Sequence, residues 1–162
     1  MAGLPPEVIE LAERSPVEDF LLDLYAQKLP SVKTSTLIAD DQTFPFLLVR
    51  RIPGLGENRG DPRFVDSAAV SIQAFVEDPN GDEDAAILSE AARVVLRDAW
   101  LKNYVVPGRG HITTFEMSSA PRRVTDWATA SGPVQYADLP SGVWRYEAQF
   151  YLTIRRPISR LA

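Results

Sequence analysis

The chain has 162 residues, 45% hydrophobic and 24% charged, enough for one ordinary domain that buries roughly two thirds of its unfolded surface. Its formal charge of −5 sets up a mean field that repels polyanions and disfavours tight DNA binding. The absence of cysteine excludes disulfides, thiolate metal sites and cysteine nucleophiles together.

No apolar run approaches the roughly 20 residues of a membrane-spanning helix. The first ten residues carry Glu7 and Glu10 in place of the basic start of a secretory signal. The first regular element is signalled by Ser15-Pro16-Val17-Glu18, a capping serine, a proline suited to the first helical position and a glutamate able to reach back. Val17, Phe20, Leu21, Leu24 and Lys28 follow at three- and four-residue steps and Pro30 stops them, which predicts a helix over 16–29. Val32, Thr34, Thr36 and Ile38 alternate with their neighbours as in a strand over 32–38. Phe44 to Ile52 is almost continuously apolar, as in a strand covered on both faces, with Pro45 near its start.

The segment from Pro53 to Pro62 concentrates Gly, Pro, Asn and Asp and reads as a long hairpin loop. From Phe64 to Glu77, Ala68, Val70, Ile72, Ala74 and Val76 point one way, while Asp66, Ser71, Gln73 and Glu77 bring in polar positions, giving a central strand. Asp78-Pro-Asn-Gly81 ends it. Asp82, Glu83 and Asp84 then place negative charge at the start of a helix that runs to about Lys102. Its expected core face is Ala85, Leu88, Ala91 or Ala92, Val95 and Ala99, widened by Ile87, Val94 and Trp100. His111–Met117 reads as a strand and Ala120–Trp127 as a short extended piece, followed by a structured loop over 128–142. In the last strand Trp144, Tyr146, Ala148, Phe150, Leu152 and Ile154 share one face, opposite Arg145, Glu147, Gln149, Thr153 and Arg155. With no internal repeat or linker, residues 1–162 form a single α+β domain: a mixed or antiparallel sheet packed by two main helices, with a long β-hairpin loop.

Reactive constellations are missing. His111 is the single histidine and has no recognisable nucleophile elbow to serve, so no catalytic residue is assigned. Asp78, Asn80, Asp82 and Asp84 have the spacing with which calcium loops begin. Gly81 is out of register, however, and Ser89 stands where a bidentate glutamate is needed, so no metal site is assigned. Gly54, Gly56 and Gly60 lack a Gly-Lys-Ser/Thr ending and precede a strand, so no nucleotide or other cofactor is assigned. Arg50-Arg51 and Arg155-Arg156 each end an apolar strand, either as solvated pairs or as a rim that meets carboxylates of another subunit.

Phe44-Pro-Phe-Leu-Leu-Val-Arg-Arg-Ile-Pro-Gly54, Phe64–Phe75, Asp84–Ala92 and Arg145-Tyr-Glu-Ala-Gln-Phe-Tyr-Leu-Thr-Ile-Arg-Arg156, in this order, resemble the tail terminator proteins of long-tailed phages of actinobacteria. The resemblance spans most of 16–157 and is weakest over 103–142. It implies a non-enzymatic structural virion protein, made in the host cytoplasm and carried at the head–tail junction. Copies of the chain are expected to form a ring, usually of six, that caps the tail tube, stops its growth and meets the head-side connector protein. The partners are then the chain itself, the tail tube protein and the connector, with no membrane, and DNA passes through the channel without specific binding. Arg50, Arg51, Gly54, Leu55, Gly56, Arg59, Arg63, Arg155 and Arg156 are the candidate assembly residues. Two other readings stay open: another neck or minor tail component, or a monomeric domain that binds a small ligand between sheet and loops.

Overall fold

A computed structural model describes residues 3–10, 17–54, 64–124 and 142–157. The chain is a single α+β domain whose five-stranded mixed sheet carries its two longer helices on one face. The elements are α1 (Pro6–Glu10), α2 (Val17–Lys28), β1 (Lys33–Ser35), β2 (Phe46–Arg51), β3 (Val65–Glu77), α3 (Gly81–Leu101), β4 (His111–Arg123) and β5 (Val143–Arg155). The sheet order is β1-β2-β3-β5-β4. β1 runs parallel to β2, and every other pairing is antiparallel. β3 and β4 are therefore parallel, joined through α3, and the last strand inserts between them.

Both main helices lie within a residue or so of the expected bounds. α2 covers β1 and β2, while α3 covers β3, β5 and β4. Side chains divide by strand alternation. Leu47 and Val49 of β2 join Ala68, Val70, Ile72, Ala74 and Val76 of β3 and Ala148, Phe150, Leu152 and Ile154 of β5 under the helices. Phe46, Leu48 and Phe75 form a smaller apolar cluster on the far face, packed by Ile38, Phe44 and Val143. β2 is thus apolar on both sides because both sides are covered. Phe150 is fully buried, and its ring stacks on Phe115 at 5.5 Å between centroids. The buried Tyr25 hydroxyl donates to the Ala92 carbonyl at 3.0 Å and ties α2 to α3.

Several sequence expectations need correction. β1 shrinks to three residues, because β-branched alternation supplies propensity but only Lys33, Thr34 and Ser35 find partners on β2. β4 extends past Met117 to Arg123, absorbing the first part of the separate piece expected from Ala120, and the remainder of that piece, 125–127, lies outside the described residues. It is an edge strand with register irregularities and Pro121, features that discourage a further strand from adding to it. On α3 the buried set is Gly81, Ala85, Leu88, Ser89, Ala92, Leu96 and Ala99, so Ala92 faces the core and Leu96 joins it. Ile87 does not widen the core face: it is 60% exposed. Asp66 belongs to the apolar face of β3 and is fully buried.

The uncovered part of the far face is polar and internally bonded. Ser71 donates to Glu147 at 2.9 Å, Arg122 meets the same carboxylate at 3.3 Å, and Gln149 reaches it at 3.4 Å. The hydroxyls of Ser67 and Thr153 lie 3.0 Å apart on neighbouring strands.

Candidate assembly surface

Antiparallel pairing brings the end of β2, the start of β3, the end of β5 and the start of β4 to one end of the sheet. Both arginine pairs therefore converge there, although roughly a hundred residues separate them in sequence. Arg155 pairs in register with Val65 on one side and His111 on the other. It is exposed, whereas Arg156 is half-buried and its backbone N–H donates to the Phe64 carbonyl at 2.8 Å. Gly110, with φ of 111°, lets the start of β4 press on this backbone. A Cβ there would stand 1.9 Å from the Arg155 carbonyl oxygen, a clash no side chain tolerates.

Arg50 and Arg51 separate by alternation. Arg51 lies on the helix-covered side, and its guanidinium donates to the Asp66 carboxylate. The Asp66 side chain is fully buried and that of Arg51 only 24% exposed. A buried carboxylate requires such a partner, since an uncompensated charge inside a protein costs several kcal/mol. Arg51 therefore fastens the base of the loop between β2 and β3. Arg50 is half-buried, and its charge is felt by Glu18 at the start of α2. Burial raises the Glu18 carboxyl there above the usual range, while the charge of Arg50 acts in the opposite direction.

The Ile52 N–H donates to Ala69 at 2.8 Å and continues the ladder by one bond. Gly54 then turns the chain with φ of 76°, a left-handed conformation that favours glycine, in open space. Leu55, Gly56, Arg59 and Arg63, the remaining candidates of the loop, lie outside the described residues.

Three further residues belong to this end and escaped the sequence reading. Arg109 bridges Asp23 at 2.9 Å and Asp19 at 3.8 Å, holding the turn before β4 against α2. Nothing local in the sequence marks that pairing, which joins segments more than eighty residues apart. Asp66 did carry a signal, as a carboxylate in phase with Ala68 and Val70. Glu18 was legible as a helix-start residue but not as a neighbour of Arg50.

The surface is thus one of mixed charge, with Arg155 exposed and Arg51 engaged from within. Its guanidinium groups suit carboxylate partners, which they bind in a fixed bidentate geometry. At the opposite end of the sheet Asp78 and Asp82, before and within α3, are occupied structurally. Trp144 donates to Asp78 at 2.8 Å, Tyr146 donates to Asp82 at 3.0 Å, and Arg123 meets Asp82 at 3.2 Å. Among the described residues no three His, Asp or Glu side chains group so as to hold a metal ion, and no helix is long and apolar enough to cross a membrane. In comparisons with known proteins, no family model matches the chain and no curated protein matches it.

Proposed function

We propose that the chain is a structural subunit that assembles into a ring, expected to have six copies, on the end of a phage tail tube, where it stops tube growth and joins the tail to the head-side connector. The observation that carries this reading is the convergence of both arginine pairs and the base of the loop at one end of the sheet. Of the four segments on which the resemblance rests, those in β2, β3 and β5 reach that end. An end of the sheet that holds the exposed Arg155 is suited to docking against carboxylates of a neighbouring subunit or tube protein.

The test is assembly in the presence of tail tube protein from the same virus, followed by light scattering and electron microscopy. Rings on tube ends support the reading; a chain that stays monomeric alongside tubes overturns it and favours a monomeric ligand-binding domain.

A further inference from the structure

We draw no further inference here: the strongest candidate, the polar side-chain cluster of Ser71, Gln73, Glu147 and Gln149 on the far face of the sheet, bonds within itself, and nothing in the structure shows what meets the buried Gln73 side-chain carbonyl that it leaves over.

Discussion

Phe150→Ala probes whether the face assignment of β5 is correct. The ring is fully buried at the centre of the sheet, registered against Val70 on β3 and Met117 on β4 and stacked on Phe115. Truncation removes the transfer free energy of the ring and leaves a cavity that neighbours on two paired strands cannot collapse to fill. The expected cost is about 3–5 kcal/mol. With a urea slope of about 2 kcal/mol per molar for a domain of this size, the unfolding midpoint should fall by about 1.5–2.5 M at unchanged slope. Arg155→Ala, at an exposed position on the opposite face, should stay within about 0.5 kcal/mol of the parent. Circular dichroism during urea titration reads both. Equal midpoint shifts for the two variants would refute the assignment of faces.

Tyr25→Phe should cost about 1 kcal/mol at pH 8, where the hydroxyl bond to Ala92 is lost. Burial raises the Tyr25 phenol well above its ordinary 10, so above pH 10 the unfolded chain releases a proton that the folded chain retains. Stability of the parent then falls by about 1.4 kcal/mol per pH unit from this group. The phenylalanine variant lacks that loss, and the two denaturation midpoints should draw together as pH rises past 10; a gap that widens refutes the burial argument. Gly110→Ala should lower the melting temperature more than Gly54→Ala, because both are strained at positive φ but only Gly110 faces the Arg155 carbonyl; equal losses in calorimetry would contradict the close approach. Arg155→Glu with Arg156→Glu should block assembly while leaving the melting temperature within a few degrees. Arg51→Glu should instead destabilise the fold itself, since it sets a carboxylate against buried Asp66. Complementation for infectious particles, scored with tail length, together with thermal melts separates these effects, and normal tails from the double variant would remove that pair from the interface.

Much of the fold was legible because local pattern and tertiary burial agree. The period of two in β5 and the apolar run of β2 are consequences of one covered face and of two covered faces, and the structure shows both. The helices were bounded by Pro30 and by the acidic start of α3. What was not legible is non-local. Nothing in the sequence says that β5 inserts between β3 and β4, and that insertion brings Arg155 beside the start of β3. β4 was read short because Thr113, Thr114, Ser118 and Ser119 give an edge strand little apolar alternation. Trp100 does pack against the core, whereas Ile87, expected to widen the same face of α3, is 60% exposed, because an apolar side chain does not by itself tell which side of a helix the sheet covers. The site divided similarly: the arginine pairs stood out by composition, but the role of Arg51 depends on Asp66, which only the fold places beside it.

The central claim is that copies of this chain cap a growing tube. Tail tube protein of the same virus is polymerised with and without the purified full-length chain, and tube lengths and ends are scored by negative-stain electron microscopy, with light scattering on the unbound fraction. The account predicts shorter tubes that carry a ring at one end. Unchanged tube lengths, bare ends and a strictly monomeric chain in the same mixture would contradict it.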